Sequence, residues 1–198
     1  MQPDRAQPPD GPPDGPRPGG PRLIVLNGPP GCGKSTLARM YAEDHPLTLN
    51  LDIDRVRALI GRWPDHPQRA GLLARAIALA AARVHLATGH DVIIPQFLGR
   101  PEFLEQAEEL AAEARVDFRE IVLLDSKENA VRRFTARRPG DPAHPGEMLR
   151  HDVGPAELAV MYDRLMEIVA SRPSVRIVRT RDGRVEQAYR DVLAAAGG

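Results

Sequence analysis

Residues 22 to 42 read RLIVLNGPPGCGKSTLARMYA. An apolar run breaks into two prolines and three glycines, then resumes as a helix-forming segment. Gly28, Gly33, Lys34 and Ser35 fit the phosphate-loop pattern G-x-x-x-x-G-K-[ST], in which main-chain N–H groups wrap phosphate oxygens. Chance supplies that pattern in roughly one chain of this length in a hundred. The flanks narrow it further. Leu23, Ile24, Val25 and Leu26 form the short, unalternating run of a parallel strand buried on both faces. After the loop, Leu37, Met40 and Tyr41 share one helical face. Strand, loop and helix therefore stand in the order that aims a positive helix end at an anion. The ligand this predicts is a nucleotide, bound by Gly28, Pro29, Pro30, Gly31, Cys32, Gly33, Lys34, Ser35 and Thr36, with the Ser35 hydroxyl as the expected metal ligand.

Lysine usage sharpens the reading. Of 27 basic residues only Lys34 and Lys127 are lysine. An ammonium is a compact charge that enters such a loop, whereas a planar guanidinium is too bulky.

Composition bounds the rest. The chain has 198 residues, 42% of them hydrophobic, enough for one sizeable core. Formal net charge is zero, so no global field draws the protein to nucleic acid or anionic membrane. The single Cys32 permits no internal disulfide and fits a reducing cytosol, so a cytoplasmic location is expected. Residues 1 to 21, rich in Pro, Gly and Asp, read as a disordered tail without the apolar region of a secretory signal. No later segment reaches the length of a membrane span. No oligomeric state is specified.

Downstream, strand and helix signals alternate, the mark of a parallel sheet covered on both faces. Strands are expected at 47–52, 91–95, 119–124 and 175–179. Helices are expected at 55–61, 67–88, 101–115, 127–138, 155–171 and 184–196, with Leu72, Leu73, Ile77, Ala80 and Val84 setting the helical spacing of the second. The Pro/Gly-rich stretch 139–147 suits a cover over a phosphoryl group, and 127–154 is read as a lid region.

Ligands of open parallel sheets collect at the carboxyl ends of the strands. The second strand ends in Asp52-Ile53-Asp54-Arg55-Val56-Arg57. A carboxylate there can take the proton of an attacking hydroxyl, and Asp54-x-x-Arg57 places both groups on one side of a helix beginning at Asp54. Asp54 as that helix's N-cap is the structural alternative. Asp52 is a second carboxylate at the substrate side. The third strand ends in Pro95-Gln96, where the Gln96 amide can bond a substrate or a metal-bound water but brings no charge to Mg²⁺. Trp63 is a candidate aromatic platform for an acceptor. The histidines form no metal-binding pattern.

The glycine loop, the Asp-x-x-Arg after the second strand and the arginine helix ENAVRRFTARRPG resemble the small P-loop kinases, the group of chloramphenicol phosphotransferase, gluconate kinase, zeta-type toxin kinases and polynucleotide 5′-kinase, with an AAA-type ATP-binding domain. The resemblance spans residues 22 to about 196. It implies an α/β P-loop NTPase fold: a three-layer, doubly wound sandwich with a five-stranded parallel sheet in the order 2-3-1-4-5. It implies ATP and Mg²⁺, and phosphoryl transfer to a hydroxyl of a small molecule, with Lys34, Asp54 and Arg137 catalytic. Polynucleotide kinase implies a substrate-phosphate contact for Arg57. The arginine helix is similar to the adenylate kinase lid pattern, which implies stacking of Arg133 on adenine and phosphate contact by Arg137. The family often places an Asp where Gln96 stands, and this departure puts the metal site's usual form in doubt. Two other readings follow from the same residues: a polynucleotide 5′-kinase, against which the neutral charge counts, and a nucleotide-binding regulatory ATPase with slow turnover.

Overall fold

A computed structural model of the chain describes residues 19–136, 154–181 and 183–197, the side chains of 133–136 apart. In chain order the elements are β1 (Arg22–Asn27), α1 (Lys34–Asp44), β2 (Leu49–Asn50), α2 (Ile53–Ala58), a 3-10 turn (Trp63–Asp65), α3 (Pro67–Leu86), β3 (Val92–Pro95), α4 (Glu102–Ala114), β4 (Asp117–Leu124), α5 (Lys127–Ala136), α6 (Pro155–Ser171), β5 (Arg176–Arg179) and α7 (Val185–Ala196). The strands form one parallel sheet in the order β2-β3-β1-β4-β5. This is the expected doubly wound P-loop architecture. Strand-to-helix alternation produces it because each parallel return needs a crossover, which covers a face of the sheet.

Alternation along the central strands divides the core in two. Leu23 and Val25 of β1 face α3 and α4, while Ile24 and Leu26 face α1 and α7. Val122 and Leu124 of β4 pack under Leu165 of α6. Helices α3, α4 and α6 therefore cover one face, and α1 and α7 the other. Within α1 the buried side chains are Leu37, Ala38 and Tyr41, with Met40 half-buried at the margin.

Two elements depart from the sequence reading. The second strand shrinks from 47–52 to two residues, because Leu47 adopts a left-handed φ of 62° in a turn closed by Thr48 N–H to the His45 carbonyl, and Asp52 already caps α2. The larger departure is in α3. Leu72, Leu73, Ile77, Ala80 and Val84 are exposed, and the buried face is Ala70, Ala74, Ala78, Ala82 and Leu86. Alanines at every fourth position carry nothing beyond Cβ, so the helix seats flush on the sheet and its longer aliphatics point outward.

One buried charged cluster lies between α4, β4 and α6. The Arg172 guanidinium donates to Glu120, which is 3% exposed, and to Glu108 at 2.7 Å. Burial holds the Glu120 carboxyl above its usual range, although its bond to Arg172 pulls the other way. A carboxyl so raised keeps its proton longer in the folded chain than in the unfolded one. Its favourable contribution is whole below the unfolded value and is lost as pH rises through the folded value. Arg172→Met removes the compensating cation, and the expected cost is about 3–5 kcal/mol at pH 7.5. Urea denaturation should show that deficit shrinking at pH 5. A deficit independent of pH would contradict the assignment.

Candidate active site at the carboxyl edge of the sheet

Strands β1 and β3 are neighbours, yet α1 leaves β1 toward one face and α4 leaves β3 toward the other. That divergence opens a crevice beyond their carboxyl ends, where open α/β sheets bind ligands. The glycine loop sits on one side of it. Gly28, Gly31 and Gly33 all have positive φ, and Cys32 N–H closes a turn on the Pro29 carbonyl at 3.3 Å. Gly33, left-handed at φ 96°, is the N-cap residue of α1; it supplies no side-chain cap, and the first turn holds no acidic residue. Neither the N-cap residue nor an acid within that turn competes with an anion for its N–H groups. Lys34 arches back over the loop, its Nζ donating to the carbonyls of Gly28 at 2.9 Å and Pro29 at 3.0 Å, with Cys32 Sγ at 3.9 Å. The one ammonium near the loop is therefore held at its mouth.

Gly28 is required by packing. A Cβ there would stand 2.6 Å from the Leu123 carbonyl oxygen and 2.7 Å from Cys32 Sγ, on a backbone at φ 151°. Both neighbours belong to the core or to the loop itself. Gly28→Ala should destabilise the fold by about 2 kcal/mol or more, read by chemical denaturation. A stability within 0.5 kcal/mol of the parent, roughly the scale of a neutral surface change, would contradict this packing.

On the β2 side, Asp52 rather than Asp54 caps α2. Its Oδ1 accepts from Asp54 N–H at 2.9 Å and Arg55 N–H at 3.4 Å. Asp54 falls in the first turn, and its carboxylate pairs with Arg57 Nη2 at 2.7 Å. The Arg57 guanidinium also lies over the Trp63 ring, 5.0 Å from its centroid. Trp63 and Asp54 thus hold Arg57 from two directions, and Arg57 in turn orients the Asp54 carboxylate.

Pro95 closes β3 without loss of a ladder bond. Asp91 and Ile93 accept from Leu49 and Leu51 of the β2 segment, so Pro95 nitrogen faces the side that β2 has already left. Gln96 N–H still bonds the Leu26 carbonyl, and its Oε1 is buried without a hydrogen-bond partner among the described residues. Beside it stands a residue that sequence reading passed over. Asn27, fully buried, accepts from Gly28 N–H at 2.8 Å and Leu98 N–H at 2.9 Å, and donates to the Leu98 carbonyl at 3.0 Å. One amide thereby ties the phosphate loop to the segment following β3. The only sequence signal was a polar residue ending an otherwise apolar run.

The remaining candidates divide. Arg133 lies in α5, where its side chain is not described; Arg137 and the Pro/Gly-rich cover fall outside the described residues. The Ser35 hydroxyl, in the first turn of α1, makes no hydrogen bond among the described residues. Among the described residues no three His, Cys, Asp or Glu side chains stand together as a metal site. The donor set thus fits a cation that takes one hydroxyl here and its other ligands from phosphates and water, as Mg²⁺ does. No helix among the described residues is long and apolar enough to cross a membrane.

A family model described as an AAA domain matches residues 23–153, and the chain belongs to that family. No curated protein matches the sequence. Among solved structures, a gluconokinase from Sinorhizobium meliloti 1021 aligns at TM-score 0.59 and 18% identity, over 89% of this chain and 92% of that one. The Deinococcus radiodurans tunicamycin resistance protein aligns at TM-score 0.60 and 16% identity, over 89% and 95% of the two chains. These likenesses show that the chain shares the fold of those proteins, a parallel sheet in the order β2-β3-β1-β4-β5 covered on both faces.

Proposed function

We propose that the chain is an ATP- and Mg²⁺-dependent phosphotransferase that moves the γ-phosphoryl group to a hydroxyl of a small molecule. The observation that carries this reading is the loop itself: a helix N-terminus without a side-chain cap or acid, under a lysine arched across the loop carbonyls. Lys34 and the loop amides bind the β and γ phosphates and offset the charge that gathers there in the transition state. Ser35 holds Mg²⁺, which when bound supplies further neutralisation of the phosphates.

Asp54 orients the acceptor hydroxyl and takes its proton as the oxygen attacks the γ-phosphorus. The bond from that phosphorus to the β–γ bridging oxygen breaks, and ADP leaves with the electron pair. Arg57 positions Asp54. Its engagement with Asp54 and Trp63 leaves it poorly placed to grip a nucleic-acid phosphate, which favours the small-molecule reading over a polynucleotide kinase. Asp52 acts through the α2 cap it provides, and Gln96 offers its unsatisfied Oε1 to a donor on the substrate or on metal-bound water. Arg133 and Arg137 cover the nucleotide in this scheme, and the protein works in the cytoplasm. Incubation with ATP, Mg²⁺ and a hydroxyl-bearing metabolite and antibiotic library, read by ³¹P NMR, tests the proposal. A new phosphate ester with matching ADP is the expected result; ATP hydrolysis alone across the library would oppose it and favour a regulatory ATPase.

A further inference from the structure

The class of acceptor is legible in a second feature, whose interpretation as an acceptor site rests on the kinase reading above. A cavity of about 530 Å³ lies between α3, the segment joining β3 to α4, the start of α4, and α6. Its size is that of a small-molecule site. Leu79, Leu98 and Phe103 give it an apolar lining, while Arg75 from α3, Arg100 from the joining segment and Arg164 from α6 also line it. None of these three guanidiniums makes a hydrogen bond or ion pair among the described residues. Glu102 is the one acid among the described lining residues, and it pairs with none of them. Three cations from separate segments against one acid give the cavity lining an excess of positive charge, which favours an anionic occupant.

The cavity is also linked to the phosphate loop. Its wall residue Leu98 is bonded through both main-chain groups to Asn27, which in turn bonds Gly28 of the phosphate loop. One buried amide thus joins the cavity wall to the phosphate loop. Guanidinium forks match the paired oxygens of a carboxylate or phosphate. We propose that this cavity receives the acceptor, and that the acceptor is a small hydroxyl compound bearing a carboxylate or phosphate. The oxyanion sits among Arg75, Arg100 and Arg164, and the carbon body lies against Leu98 and Phe103.

The test is a ¹⁵N NMR titration of the full chain with paired probes: 3-phenyllactate and other hydroxy acids beside their methyl esters, and glycerol 3-phosphate and other hydroxyl-bearing phosphates beside their parent alcohols. At least one anionic member should shift the Gly99 and Arg100 amides saturably at millimolar concentration while its neutral partner does not. The carboxylate and phosphate arms identify which oxyanion is taken. Arg100→Glu and Arg164→Glu should each weaken that binding by about tenfold or more, with Arg100→Gln and Arg164→Gln as milder versions should a reversal fail to fold. The proposal is overturned if no anionic member shifts these amides, if ester and acid bind alike, or if charge reversal leaves Kd unchanged. ADP release in the same samples separates the two levels. Anion binding without ATP turnover would retain the site and sink the kinase; turnover with neutral acceptors alone would do the reverse.

Discussion

Replacing Lys34 by Met should lower kcat/KM for ATP by about a thousandfold or more, with the fold intact. Removing one preorganised donor aimed at developing charge typically costs 10²–10³ in rate, roughly, and here the donor is also charged. Lys34 is the right residue to carry so much because its Nζ is already fixed over the Gly28 and Pro29 carbonyls, so little ordering remains at the moment of reaction. Methionine keeps the length and the apolar stem. Lys34→Arg separates charge from shape: it keeps the cation but brings a planar group into a space walled by Cys32 and the loop carbonyls. Arginine should therefore recover less than about a tenth of the activity. Steady-state kinetics on both variants checks this, and near-parental activity of the Arg variant would show that only bulk charge matters at the loop.

Asp54→Asn should divide the kinetics differently. A positioned general base contributes about 10²–10⁴ in rate, so kcat should fall within that range, while nucleotide affinity changes by no more than a few-fold, because Asp54 belongs to α2 and not to the glycine loop. The asparagine keeps the shape and a bond to Arg57 but cannot accept the acceptor's proton. Asp52→Ala acts on a different level. It removes the α2 cap, so it should cost about 1 kcal/mol of stability, with activity following stability. Equal kcat losses in the two variants, with equal stability, would remove the distinction between base and cap.

The parts of this account that rest on local chemistry were legible in the sequence. The loop from Gly28 to Ser35 is contiguous, its glycines are demanded by backbone geometry, and the strand and helix around it follow from apolar periodicity alone. The sheet order follows from the same alternation through the resemblance that the loop suggested. The α3 face was misread because large aliphatics set the visible period, whereas burial follows how closely a helix can approach, and alanines approach closest. Asp52 took the cap that the spacing offered to Asp54 because the helix starts at Ile53, two residues before the expected 55, and caps are decided by which carboxylate reaches the first free N–H groups. Asn27 gave little warning, since its meaning lies in Leu98, far along the chain. Arg75, Arg100 and Arg164 gave none. They sit on three elements that only the crossovers of the sheet bring to one cavity.

The central claim is that the turn after β1 is a receptacle for a triphosphate, and isothermal titration calorimetry with ATP in excess Mg²⁺ measures it most directly. The account predicts saturable binding at one site per chain in the parent protein, weakened by about a hundredfold in Lys34→Met. Absence of saturable binding by any purine nucleoside triphosphate, or equal affinity in parent and variant, would contradict it.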